Sequence, residues 1–325
     1  MLTFYGLSDK GLESLSATEG VEVPPSTGWV DLFQPTPEEN HVVEHFLGAA
    51  VPTREEAQEI EFSSRFYTED GATFMTATVL TGVDRGDPQL APFTIAIAGE
   101  RIVTLRYDDI RAMRHFLTRA SKPGSGCSSA PAVFLGLIEA IIDRAADVLE
   151  RISGDVDRIN KDVFARRREP AHEGQELSEL IEAIGVQGDL AAKARESLAS
   201  LERLVQYAGL AAPSINAKGG NRARMKLAAR DIRSLEDHVT FLSNKINFLL
   251  DATLGLISVE QNDVIRVLTV LSTFFFPPTL IGTVYGMNFQ FMPELSWPFA
   301  YPLVIGAMIV SALVPFFYFK RRGWL

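Results

Sequence analysis

The spacing of apolar residues divides the sequence into three parts. Up to about residue 125, runs rich in β-branched and aromatic residues alternate with short helical patterns, which predicts an α/β domain. Over 130–212, apolar residues recur every three or four positions, which predicts a hairpin of long helices. From Asn221 no strong helix breaker occurs before Pro277, so we expect one very long stalk helix over 221–285.

Turn and cap residues place individual elements within residues 1–125. Asp70-Gly71 and Gly99-Glu100 each separate two strand-like runs, a pattern typical of hairpins. The strand-like run before Asp70-Gly71 starts near residue 60. Thr36, followed by a proline and two glutamates, has the composition of a helix start. These signals predict strands and helices mixed in one domain.

Two stretches near the C-terminus are long enough and apolar enough to cross a membrane. The first extends the stalk helix over about 265–285, and the second covers 298–319; a spanning helix needs about 20 residues. Lys and Arg flank the spans at Arg266 and in the tail 320–325, but the connecting loop 286–297 has none. The positive-inside rule therefore predicts cytoplasmic termini and an external loop. With no signal peptide pattern, we expect a multi-pass protein of the cell inner membrane.

The charge balance and the single cysteine exclude several classes of protein. A net charge of −10 does not supply the basic surface that reaches phosphates, so no nucleic-acid partner is expected. Cys127 alone cannot form an intrachain disulfide or a Cys-based zinc cluster. It lies in a Ser- and Gly-rich linker, 121–131, which favours a flexible loop and gives the thiol no assigned role.

One face of the long helix carries a polar stripe that continues into the first span. At about 100° per residue, Asp251, Thr269 and Phe276 lie within about 40° of Asn262. Polar positions inside a span mark a pathway for polar solutes. For Asp251, a solvent-facing position on the outside of the stalk is an equal alternative. The predicted pathway residues are Asp251, Asn262, Thr269, Ser272 and Thr279, with Leu268 and Phe276 on the same side.

The loop between the spans contains Gly286-Met287-Asn288, with Met-Pro-Glu-Leu at 292–295. Together with Phe-Pro-Pro-Thr-Leu at 276–280, two C-terminal spans and the ending Lys-Arg-Arg-Gly-Trp-Leu, this loop resembles the CorA family of magnesium channels. The resemblance is close over 240–325 and architectural over 1–210. It implies a funnel-shaped homopentamer in the lipid bilayer that carries Mg²⁺, and also Co²⁺ or Ni²⁺, into the cell.

The resemblance implies a selectivity filter at Gly286, Met287 and Asn288. Mg²⁺ releases its waters reluctantly, so neutral oxygens that bind those waters suit it better than charged ligands. One Asn288 amide per chain would form a ring of dipoles around the hydrated ion, and Gly286 would let its carbonyl approach closely. Glu294 would add negative charge at the pore mouth.

By the same resemblance, Asn262 and Thr279 would form polar rings, Leu268 and Phe276 would form hydrophobic constrictions, and Asp251 would lie in the cytoplasmic pore. Cytosolic Mg²⁺ would be a regulatory ligand that closes the channel. The family's acidic sensor near the start of the long helix has no counterpart near Leu227, so the regulatory site stays unidentified. The acidic run 172–185 could line a sensing surface, but its pattern favours a solvated helix face.

Two other functions compete with this interpretation. A zinc transporter of the sister branch, driven by protons, would share the architecture, but Met287 is intact and no His lies in the spans or their loop. A membrane-anchored enzyme or sensor would need a catalytic constellation in residues 1–210. His41 and His45, four apart, have only Glu44 beside them and are typical of a surface helix. The sequence therefore predicts a transport protein and not an enzyme.

Overall fold

Strands in the first third of the chain pair into a mixed sheet in the computed structural model. The order is β2-β1-β3-β7-β6-β5-β4, with β3 and β7 parallel and the other neighbours antiparallel. The strands are β1 Leu2–Ser8, β2 Gly11–Leu15, β3 Thr27–Phe33, β4 Phe66–Glu69, β5 Ala72–Thr81, β6 Gln89–Ala98 and β7 Arg101–Arg106. The structure describes residues 1–8, 11–15, 23–165, 173–212, 215, 219–288 and 292–324.

Both predicted hairpins form where the turn residues can adopt positive φ. Asp70 has φ 48° and Gly71 has φ 80° between β4 and β5, and Gly99 has φ 60° between β6 and β7. The strand predicted from residue 60 is wrong at its start, because Phe62–Arg65 forms a short helix. Phe62 packs against the ring of Phe66, with centroids 4.8 Å apart, and does not extend the strand.

Capping boxes begin the first two helices of this part of the chain. The Thr36 hydroxyl accepts from the backbone N–H of Glu39, and the Glu39 side chain accepts from the Thr36 N–H, as the sequence predicted for this helix start. Thr53 and Glu56 form the second box. The helices are α1 Pro37–Leu47, α2 Arg54–Gln58, α3 Phe62–Arg65 and α4 Arg111–Ala120.

Hydrophobic side chains of the sheet and of α1 form a common core. Val30, Phe74 and Val103 from three strands pack with Val43 of α1, and each of them is almost fully buried. The part of β5 that extends past its pairing with β4 would leave unpaired backbone N–H groups at the edge of the sheet, but two serines of a later helix accept hydrogen bonds from them. The Thr78 N–H donates to Ser200 Oγ (2.8 Å), and the Leu80 N–H donates to Ser197 Oγ (3.2 Å).

Four long helices follow the sheet, and the predicted stalk helix is confirmed. The stalk helix begins at Gly219, two residues before the predicted start. Cys127, expected in a flexible loop, is buried just before the first of the four helices, and burial raises the pKa of its thiol. The helices are α5 Ala130–Ala165, α6 Glu173–Ala211, α7 Gly219–Tyr285 and α8 Ala300–Arg321.

The first part of α7 packs against its own chain through a heptad-spaced apolar face. Ion pairs fix it further: Arg224 contacts Glu139 of α5 through two hydrogen bonds of 2.8 Å, and Lys245 pairs with Asp157 of α5. These hydrogen bonds raise the pKa of Arg224 and lower the pKa of Asp157. The buried heptad positions are Met225, Ala228, Ile232, Val239, Leu242, Ile246 and Leu249.

The chain separates into two compact units, Met1–Ala171 with Ser178–Leu250, and His172–Leu177 with Asp251–Leu325. The second unit contains the end of α7 and all of α8. Both helices are long and apolar enough to cross a membrane, with mean hydropathies of 1.7 and 2.1 over their most apolar windows. Those windows are 0% and 6% buried within the chain. This surface needs a bilayer or further protein to cover it.

Candidate functional site

The Gly-Met-Asn segment directly follows the last turn of α7. The N–H of Gly286 donates to Gly282 O (3.0 Å) and Thr283 O (3.2 Å), and the N–H of Met287 donates to Val284 O (3.4 Å). These bonds end the helix in a tight turn, so Asn288 emerges at its tip. All three residues of the segment are exposed. Their exposed groups are available to a ligand or to other copies of the chain.

Gly286 fits this turn because it has no side chain. A Cβ at this position would lie 3.2 Å from Gly282 O and 3.5 Å from Thr283 O, and the first distance is shorter than ordinary packing allows. A side chain at this position would therefore press on a carbonyl of the last turn of α7. Glu294, predicted at the pore mouth, belongs to the 3₁₀ turn Pro293–Ser296, and its side chain lies outside the described part of the structure.

The predicted pathway residues lie on the side of α7 that its own chain does not cover. Leu268 is 61% exposed and Phe276 is 69% exposed, although both are large and apolar. Gly282, by contrast, faces α8, because a Cβ on it would lie 3.3 Å from Met308. The polar members of the exposed side are Asp251, Asn262, Thr269, Ser272 and Thr279.

Several polar groups on this side turn their hydrogens back toward the helix. The Thr269 hydroxyl donates to Ile265 O (2.7 Å), and the Thr279 hydroxyl donates to Phe275 O. The Asn262 amide donates through Nδ2 to Ser258 O (2.8 Å). Because each hydroxyl hydrogen is used internally, the hydroxyl oxygens have only lone pairs left to offer a ligand, and the Asn262 Oδ1 is an acceptor as well. A hydrated cation presents water hydrogens, which need such acceptors.

Thr283, where the polar stripe predicted from the sequence ends, adds one more acceptor close to the Gly-Met-Asn turn. Its hydroxyl donates to Thr279 O (2.7 Å), and at about 100° per residue it lies about 40° from Thr279. The spacing of four residues between these threonines was the signal in the sequence. Two threonines one turn apart thus continue the acceptor stripe toward Asn288.

Fixed positive charge is scarce along this stripe. Arg266, at the start of the first span, pairs with Asp263 one turn earlier, which neutralises it locally. Residues 267–288 contain no Lys or Arg. A cation moving along this side of α7 would therefore meet neutral acceptors and no repelling charge from this segment.

Among the described residues, no group of three or more His, Cys, Asp or Glu side chains is placed to hold a metal ion. His41 contacts the Glu44 carboxylate at 3.1 Å and is highly exposed, as expected for a surface helix. The acidic run 172–185, for which the sequence favours a solvated helix face, lies in α6 apart from its first residue, which falls outside the described residues.

Comparisons with known proteins agree with this arrangement of helices and loop. The Magnesium transport protein CorA of Escherichia coli (strain K12) is 33% identical over 327 residues, which span 100% of both chains. The solved CorA magnesium transporter from Methanocaldococcus jannaschii matches with a TM-score of 0.78 at 19% identity, covering 100% of this chain and 99% of that one. The ZntB cytoplasmic domain from Vibrio parahaemolyticus matches with a TM-score of 0.58 at 12% identity, covering 79% of this chain and 97% of that one.

The two structural likenesses, at these identities, show a shared fold. Family membership rests on sequence. The profile of the family described as CorA-like Mg²⁺ transporter protein matches residues 26–321, almost the whole chain. With a relative 33% identical along its entire length, this chain belongs to the CorA-like Mg²⁺ transporter family.

Proposed function

We propose that this chain transports Mg²⁺ across the cell inner membrane as a homopentameric channel, and that Co²⁺ and Ni²⁺ use the same pathway. The family consists of transporters and not enzymes, so no catalytic residue is assigned. The observation that carries the proposal is the row of exposed polar side chains on α7 that donate to carbonyls of their own helix and keep acceptor oxygens for a ligand. Such a row binds the water shell of a dication without stripping it.

We propose that the channel selects hydrated Mg²⁺ at Gly286, Met287 and Asn288. In a ring of five chains, five Asn288 amides would surround one hydrated ion at the end of α7. Glu294 would raise the local concentration of cations at the mouth. Asp251 and Asn262 would continue the pathway toward the α/β domain, which we place in the cytoplasm with both termini because Lys and Arg flank the spans on that side.

The uncovered side of the stalk supports assembly from identical chains. Phe241 is 60% exposed and Phe248 is 57% exposed, seven residues apart on α7. Exposed aromatic side chains at heptad spacing are typical of helices that pack on a partner helix. We place this seam between neighbouring chains of the pentamer.

Replacing Phe241 with Glu is therefore expected to weaken the assembly. Losing a buried aromatic contact costs about 2 kcal/mol per chain, and a charge in the seam adds to that cost. Multi-angle light scattering of the detergent-solubilised variant should show species smaller than the wild-type oligomer. Leu210→Glu is the control, because Leu210 is 84% exposed on α6, away from the seam. An intact pentamer in Phe241→Glu would contradict the proposed interface.

Leu268 and Phe276 are proposed to close the pathway by excluding water when cytosolic Mg²⁺ is bound. Replacing Phe276 with Asn should wet this constriction and raise Mg²⁺ entry into Mg²⁺-loaded proteoliposomes by about tenfold, for a barrier lowered by about 1.4 kcal/mol. Phe275→Asn is the matched control, because Phe275 is 58% exposed but points about 100° away. Equal entry through both variants would remove Phe276 from the gate.

A zinc transporter is the alternative, and the fold shared with the ZntB domain does not separate the two. Proteoliposomes loaded with a Mg²⁺-sensitive or a Zn²⁺-sensitive dye distinguish them. The proposal expects Mg²⁺ entry driven by membrane potential without a proton gradient. Zn²⁺ movement that requires a proton gradient, with no Mg²⁺ entry, would instead establish the zinc function.

A further inference from the structure

The C-terminal end of α8 is closed by a turn that brings Trp324 back onto the helix. Gly323 has φ 69°, and the Trp324 N–H donates to Phe319 O (3.1 Å), the pattern of a glycine C-cap. The indole stacks on Phe319 with ring centroids 5.3 Å apart and planes 20° apart. Phe319 is thereby buried, whereas most of α8 is exposed. The tail is thus a fixed structure at the end of the span.

This turn closes one end of an apolar cleft of about 280 Å³ between α7 and α8. Val267, Val270 and Phe274 line it from α7, and Phe316 with Trp324 lines it from α8. The walls are almost entirely hydrocarbon and aromatic. At about 100° per residue, Val270 is on the opposite side of α7 from Thr279, and no residue that lines the cleft is one of the predicted pathway residues.

Positive charges surround the same end of α8. Lys320, Arg321 and Arg322 are exposed, and within the described residues none of them forms an ion pair with a carboxylate. The Lys320 ammonium lies 5.9 Å from the centroid of Phe316, a residue of the cleft wall. A hydrocarbon cleft with unpaired cations at one end matches a ligand that has an apolar chain and an anionic head.

We propose that the cleft binds an acyl chain of an anionic phospholipid whose phosphate is held by Lys320, Arg321 and Arg322. The bilayer supplies this ligand at high local concentration. Lys and Arg at the end of a span lie at the depth of the lipid headgroups. Tryptophan is enriched at the same depth, which suits Trp324. The acyl chain makes van der Waals contacts with the hydrocarbon and aromatic walls of the cleft.

Brominated lipids quench tryptophan fluorescence on contact, so they test the site directly. The full chain is reconstituted with increasing fractions of acyl-brominated phosphatidylglycerol or phosphatidylcholine, and the signal of Trp324 is obtained by subtracting Trp324→Phe. The mole fraction of phosphatidylglycerol that quenches Trp324 should be lower than that of phosphatidylcholine by about fivefold or more. The variant K320Q/R321Q/R322Q should lose this preference. In wild type, high salt should weaken the preference, which tests the charges even if the triple variant does not fold.

Filling the cleft tests the acyl chain separately from the charges. Val270→Phe should reduce quenching by both lipids, whereas Val310→Phe, at a position 58% exposed on α8 and outside the cleft, should not. Equal quenching by the two lipids in wild type would show bulk contact only and overturn the proposal. If neither lipid quenched Trp324, the proposal would also be overturned, because a second copy of the chain would then cover the cleft.

Discussion

Replacing Asn288 with Ala is expected to reduce Mg²⁺ entry by about 100-fold or more. Asn288 follows the turn closed by Gly286 at the end of α7, and its amide is exposed. Each chain loses a hydrogen bond to the water shell worth about 1 kcal/mol, and five chains lose it together. Because 1.4 kcal/mol corresponds to a factor of ten, several such losses abolish selective entry.

The measurement is potential-driven Mg²⁺ entry into dye-loaded proteoliposomes at matched reconstitution. Ser296→Ala is the control within the same loop, since the Ser296 hydroxyl donates to Pro293 O (2.7 Å) and is not assigned to the filter. Light scattering should show the same oligomer for both variants. Wild-type entry rates in Asn288→Ala would show that the filter lies elsewhere in the chain.

Replacing Asp31 with Ala is expected to destabilise the α/β domain by about 3–5 kcal/mol, because it leaves a guanidinium without its buried partner. Arg106 contacts the Asp31 carboxylate at 2.9 Å, and their side chains are 13% and 4% exposed. Thr104 also donates to Asp31 (2.7 Å) and accepts from the indole of Trp29 (3.0 Å). The carboxylate thus connects β3 with β7 at the parallel pair of the sheet.

Thermal unfolding of the solubilised protein, followed by tryptophan fluorescence, measures this effect. A loss of that size lowers the melting temperature by roughly 10 °C for a unit of about 240 residues, here Met1–Ala171 with Ser178–Leu250. D31N/R106Q should recover part of the stability, because no buried charge is left unpaired. Arg158→Gln breaks an exposed pair with Asp155 and should cost less than about 1 kcal/mol. A shift in Asp31→Ala no larger than in Arg158→Gln would contradict the argument.

Local signals were sufficient for much of the architecture. Thr36 caps α1 and Asp70-Gly71 turns the first hairpin because capping and positive φ depend on a few adjacent residues. The long stalk helix and the second apolar helix follow from uninterrupted helical patterns. The strand start near residue 60 was wrong because Phe62 found an aromatic contact with Phe66 that propensity does not encode.

The sequence by itself determined the motif, the two apolar spans and the set of polar residues on one side of α7, since each depends on residue type and helical period. Only the tertiary structure decided which positions of α7 are covered: the apolar Phe241 and Phe248 are exposed, whereas the polar Thr253 is buried. It also revealed that Thr279 donates to its own helix and that Trp324 closes a cleft. Burial and hydrogen-bond direction depend on which groups meet in three dimensions, and residue spacing along one helix does not specify that.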